Sequence, residues 1–132
     1  MSKYNDVRTA VGDAITAYQP LVNVYHYVPK SLTPPAAIVQ PVANRTIEYL
    51  QAQSSVLAKW NFNVLLVIGQ VDEQAAQDMA GELISPGSDL IQSLTSIKFT
   101  SGYSQVTEAA ISEMAFGNGL YTYARLVVSI TA

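Results

Sequence analysis

Trp60-Asn61-Phe62-Asn63-Val64-Leu65-Leu66-Val67-Ile68 alternates along its length, and its two faces differ. Trp60, Phe62, Val64, Leu66 and Ile68 make one face wholly apolar. The other begins with Asn61 and Asn63 and turns apolar at Leu65 and Val67. Successive side chains of a strand point to opposite sides, so the pattern predicts a central strand, covered fully on one side and partly on the other. Such a strand needs helices over its apolar face, and the flanking sequence supplies them.

On the C-terminal side, Asp72 stands where a helix N-cap is wanted, with Glu73 in the first turn. Ala76, Met79, Ala80, Leu83 and Ile84 form the inward stripe of that helix. Ser85-Pro86 is expected to restart a second short helix as N-cap and first-turn proline, with Leu90, Ile91, Leu94 and Ile97 inward. Residues 98–116 are ambiguous: Lys98-Phe99-Thr100 reads as a strand, and Val106 to Met114 as helix or irregular strand. Gly117-Asn118-Gly119 signals a tight turn into a last strand, in which Leu120, Thr122, Ala124, Leu126, Val128 and Ile130 alternate with Tyr121, Tyr123, Arg125, Val127 and Ser129.

On the N-terminal side, residues 3–18 place Val7, Ala10, Val11, Ala14, Ile15 and Tyr18 at helical spacing, with Gly12 as a helix-weakening residue inside the run. Leu21 to Val28 is dense in β-branched and aromatic residues and predicts a strand ended by Pro29. Ala36 to Gln40 predicts a second strand after the Thr33-Pro34-Pro35 turn. Residues 42–58 carry no clean period and are read as an edge strand at Thr46–Leu50 followed by a mobile loop. That segment is expected to order on assembly, with Arg45, Glu48, Tyr49, Gln51 and Gln53 as candidate partner contacts. The whole predicts one α+β domain over residues 1–132: a mainly antiparallel sheet of about four to five strands with helices packed on one face.

With no cysteine, neither a disulfide framework nor a thiolate metal site is possible. The start MSKYNDVRTA lacks the apolar stretch of a signal peptide, and the run Val64–Ile68 is far too short to span a membrane. A net charge of −3 with 49% hydrophobic residues argues against a nucleic-acid-gripping surface and leans toward an oligomer. Eight tyrosines against three phenylalanines suit either strands or interfaces.

Candidate chemistry is thin. His26, between two tyrosines, has no second histidine to share a metal with, so a structural role is favoured over that of base or ligand. Asp72, Glu73 and Asp78 are explained by helix capping better than by acid–base work. Neither GxGxxG nor GxxxxGK[ST] nor GxSxG occurs, and Ser85-Pro86-Gly87-Ser88 reads as a helix–helix corner rather than an anion site. No catalytic, cofactor-binding or metal-ligating residue is expected.

Three stretches together resemble the tail terminator proteins of long-tailed phages. They are Val24-Tyr25-His26-Tyr27-Val28-Pro29 through Pro34-Pro35-Ala36-Ala37-Ile38-Val39, then Val67 through the Val71-Asp72-Glu73-Gln74-Ala75-Ala76-Gln77 step to the Ser85-Pro86-Gly87 corner, and finally Gly119-Leu120-Tyr121 to Ile130. The resemblance implies a structural virion protein without enzymatic activity or cofactor. It implies a homo-oligomeric ring of six subunits on the head-proximal end of the tail, assembled in the host cytoplasm. Its partners would be the tail tube protein and the head–tail connector, with DNA passing through the lumen without specific binding and no membrane. Another neck or head–tail joining protein is a related alternative. A small ligand-binding α+β domain is an alternative of a different class.

Overall fold

The computed structural model describes residues 3–16, 23–26, 36–49, 58–70, 74–97, 103–116 and 119–131. Along the chain run helix α1 (Lys3–Thr16), strands β1 (Asn23–Tyr25), β2 (Ala36–Pro41), β3 (Ile47–Tyr49) and β4 (Ala58–Gln70), helices α2 (Gln74–Ile84) and α3 (Asp89–Thr95), then strands β5 (Tyr103–Phe116) and β6 (Gly119–Thr131). The six strands form one sheet in the order β1-β2-β4-β6-β5, with β3 also on β4, beside the end that β2 leaves free. Every pairing is antiparallel except β1 with β2. The class is α+β, with the helices packed against the sheet.

β4 is the central strand that its alternation predicts. Phe62, Val64 and Leu66 are fully buried in the core with Ile68, and Trp60 packs at its margin. Registered beside them are Ala37 and Val39 of β2 and Ala124, Leu126, Val128 and Ile130 of β6. Val7, Val11 and Ile15 of α1, Ala80 and Leu83 of α2, and Leu90 and Leu94 of α3 close the core from above. Burial of this apolar area is the main favourable term in folding. The second face of β4 is covered in part: Asn61 and Val67 are buried, while Asn63 and Leu65 are half-buried.

Two local expectations change. The second helix of the pair does not start at Ser85. Residues 85–87 are a turn in which Gly87 has φ +82°, a left-handed conformation that suits glycine and ends any helix there. Ser88 is the N-cap of α3: its Oγ accepts from the Ile91 N–H at 3.2 Å and donates to the Leu83 carbonyl at 2.8 Å, tying α3 to the end of α2. The second change concerns the ambiguous stretch. Residues 103–116 are one long strand, pinned along their length to β6 with a bulge between Val106 and Glu108. With it the sheet has six strands. The expected strand Lys98–Thr100, the expected helix-start residues Asp72 and Glu73, and Gly117 and Asn118 of the expected turn lie outside the described residues.

The helices are also tied by hydroxyls. Ser93 donates to the Ala14 carbonyl at 2.8 Å, joining α3 to α1, and Ser104 donates to the Leu94 carbonyl at 2.7 Å, joining β5 to α3.

Gly12 has a packing reason inside α1. A Cβ there would lie 2.5 Å from Cε1 of His26, which follows β1, so the missing side chain is what lets the imidazole lie on the helix. Burial, and then the charge of Arg8, hold His26 below its ordinary value of 6.5, against an upward pull from Asp13. The folded chain therefore disfavours the protonated ring, and acidification below about 6.5 favours the unfolded state at this site. Gly12→Ala is expected to destabilise the wild-type chain by about 1–3 kcal/mol through overpacking. In a His26→Ala background the same change should instead stabilise by up to about 1 kcal/mol, the helix-propensity gain. Urea unfolding of the four chains measures both; the same sign in both backgrounds would refute the contact.

Candidate functional site

Of the five candidate contact residues, the structure describes Arg45, Glu48 and Tyr49; Gln51 and Gln53 lie outside the described residues, as do Leu50 of the expected edge strand and the rest of the expected loop up to residue 57. The part that is described is well anchored. Asn44 takes φ 68° between β2 and β3, a left-handed conformation that asparagine tolerates. The Val42 carbonyl accepts from the Arg45 N–H at 3.1 Å and from Thr46 Oγ1 at 3.0 Å.

The anchor of this corner is Asn61, only 2% exposed on the second face of β4. Its backbone N–H donates to the Thr46 carbonyl at 3.0 Å, and its carbonyl accepts from the Val42 N–H at 3.1 Å. Its side-chain Nδ2 donates to the Arg45 carbonyl at 2.7 Å and to Glu48 Oε1 at 3.1 Å, while Oδ1 accepts from Ser129 Oγ at 2.7 Å. The side-chain amide thus spends both donors and one acceptor position on three neighbours, the state a buried amide requires. The signal for it in the sequence was an asparagine in a strand of aromatic and β-branched residues, where its propensity is poor.

Arg45 and Tyr49 project from this corner. Arg45 is exposed, and Tyr49, at the end of β3, is 82% exposed. Tyr49 pairs with Ala58, which shares the face of Trp60 and Phe62, so the ring stands on the helix-covered side of the sheet. Glu48 does not project freely; it is held by Asn61.

The opposite edge of the sheet carries the other open surface. β5 pairs with β6 on one side and with no described strand on the other. Gln105, Thr107 to Glu113 and Ala115 are exposed along it, and the exposed Ile111 (43%) and Leu120 (54%) stand on the same face of this hairpin. Where β5 meets α2 and α3, Ile84, Pro86, Ile91, Val106, Thr107, Glu108 and Ala109 line an open, mostly apolar depression of about 260 Å³. Its one charged residue, Glu108, is paired with Arg125 at 3.7 Å.

The other candidate residues are not gathered into a site. Asp78 is exposed on α2, and His26 is committed to α1. Among the described residues, no three His, Cys, Asp or Glu side chains lie close enough to hold a metal ion, and no helix is long and apolar enough to cross a membrane.

No family model matches the chain, and no curated protein matches it. Solved structures do match: one, 20% identical, aligns over 98% of this chain and 96% of its own with a TM-score of 0.49. A superposition of that depth says nothing of function.

The Asn61 anchor is directly testable. Asn61→Asp puts a carboxylate against the Arg45 carbonyl and Glu48, where donors are needed. It should cost about 1–3 kcal/mol or more at pH 7. Part of that loss should return as pH falls toward about 4, where the new carboxyl protonates and can donate. Urea unfolding of variant and wild type at both pH values checks this; a loss under about half a kcal/mol at pH 7, the range of an ordinary surface position, would contradict it.

Proposed function

We propose that this chain is a structural subunit that assembles into a ring, and that the ring is a tail terminator of a long-tailed phage. The observation that carries the ring reading is the outer edge of β5. A strand of 14 residues there has a row of backbone donors and acceptors that no described strand covers, beside exposed apolar side chains. Monomeric proteins guard such an edge with lysines, prolines or short length. β5 has none of these, its sequence YSQVTEAAISEMAF containing no lysine, arginine or proline; its guards are a bulge between Val106 and Glu108 and two glutamates. An edge of this kind is suited to being covered by another chain.

The terminator reading rests on the resemblance in the three stretches quoted above. In it, the ring binds the open end of the tail tube, halts the addition of tube protein, and offers its other face to the head connector. Tube growth continues because each added ring leaves an unsatisfied heterologous surface; a cap with two different faces ends it. DNA would pass through a lumen that does not grip it, in keeping with a net charge of −3. The corner held by Asn61 presents Arg45 and Tyr49 as contacts for a partner.

Electron microscopy of lysates from a phage with an early stop codon in this gene tests the assignment. Tails of uncontrolled length, unattached to heads, are expected. Tails of normal length on filled heads would remove the terminator function.

A further inference from the structure

The two open surfaces lie on opposite sides of β4, β3 paired with it on the side away from β6 and β5 ending the strand order beyond β6, and they are unlike each other, which is the condition for a head-to-tail contact. Three properties match them. The first is strand direction. β4 is antiparallel to β3 and to β6, and β5 is antiparallel to β6, so β5 runs the same way as β4. Setting the β5 edge of one copy beside the β3 edge of the next, with the sheet continued, therefore brings antiparallel strands together.

The second is shape and polarity on one face. Tyr49 stands on the helix-covered side at the β3 end. The depression between β5 and the α2–α3 corner opens on that same side, since Val106 and Ala109 are registered with the core residues Val128 and Leu126. One copy thus offers an exposed aromatic ring, and the other a mostly apolar hollow on the matching side of the sheet. Aromatic anchors in such hollows carry most of the energy of many interfaces.

The third is charge. Asp78, Glu82, Asp89 and Glu113 are exposed on α2, α3 and β5, three elements without a lysine or arginine, while Glu108 of β5 is paired with Arg125 of β6. At the β3 end stand Arg45, exposed, Lys59, half-buried, and Glu48, which accepts a bond from Asn61 and keeps its charge, so the corner carries one net positive charge. A basic corner faces an acidic flank, which favours the unlike pairing over either like one.

We infer that copies of this chain associate head to tail, the β3 corner of one against the outer edge of β5 of the next, with Tyr49 seated in the depression lined by Ile84, Pro86, Ile91, Val106 and Ala109. The inference deepens the ring reading and needs from it only that copies of the chain meet; it does not depend on the tail assignment.

Sedimentation velocity on the full chain tests it with two surface variants. Tyr49→Ala removes the ring, and Ala109→Arg fills the hollow; both positions are exposed, and circular dichroism melts confirm that each variant folds. Each alone should lose about ten-fold or more in association constant. An equimolar mixture is the decisive sample. The intact ring of the Ala109→Arg chain can still enter the intact hollow of the Tyr49→Ala chain, so mixed dimers should form and nothing larger. Wild-type assembly that both variants leave unchanged would overturn this interface while leaving the ring reading standing. A wild-type chain that stays monomeric at every concentration would overturn both.

Discussion

β4 is the constraint on which the rest of the molecule depends. One of its faces must be roofed by helices, because Phe62, Val64 and Leu66 are apolar and fully buried. Its other face carries Asn61, whose buried amide needs partners. Those two demands act on opposite sides of the strand. Apolar burial draws α1, α2 and α3 to one side, and the amide draws the turn after β2, together with β3, onto the end of the strand. The corner that bears Arg45 and Tyr49 is thus a by-product of satisfying one buried side chain.

Placing β4 at the centre has a cost at the margin. With β2 and β3 sharing one side and β6 the other, β5 is left as the outermost strand. Ser104 near its start is buried against α3 and Val106 packs against the core, while beyond the bulge Glu108 to Glu113 and Ala115 are exposed. A sheet so built cannot close on itself. Among the described residues it ends in a long uncovered edge on the acidic side and a short stepped edge on the basic side, the two edges that the proposed head-to-tail contact would join.

Much of this was legible in the sequence, for physical reasons. The alternation of Trp60 to Ile68 and of Leu120 to Ile130 is a period that only a strand satisfies, and the stripe Val7, Val11, Ile15 only a helix. β5 was not legible, because its stretch Glu108-Ala109-Ala110-Ile111-Ser112-Glu113-Met114-Ala115 is built largely of good helix formers. Pairing with β6 overrides that local preference, and a pairing partner is not visible from within a segment. The start of α3 was misplaced for a similar reason. Ser85-Pro86 has the composition of a helix start, but the left-handed Gly87 and the bond from Ser88 to Leu83 move the start to Asp89. Of the candidate contacts, Tyr49 and Arg45 prove to be exposed side chains. Glu48 proves to be a structural one, and only the fold reveals that Asn61 claims it.

Hydrogen exchange as a function of protein concentration tests most directly the claim that β5 is completed by another copy. At concentrations where the chain is monomeric, alternate amides of β5, those turned away from β6, should exchange rapidly while the amides of β4 stay protected. As the concentration rises, the rapid β5 amides should become protected and those of β4 should not change. Protection along β5 that is the same at every concentration, whether high or low, would contradict the account.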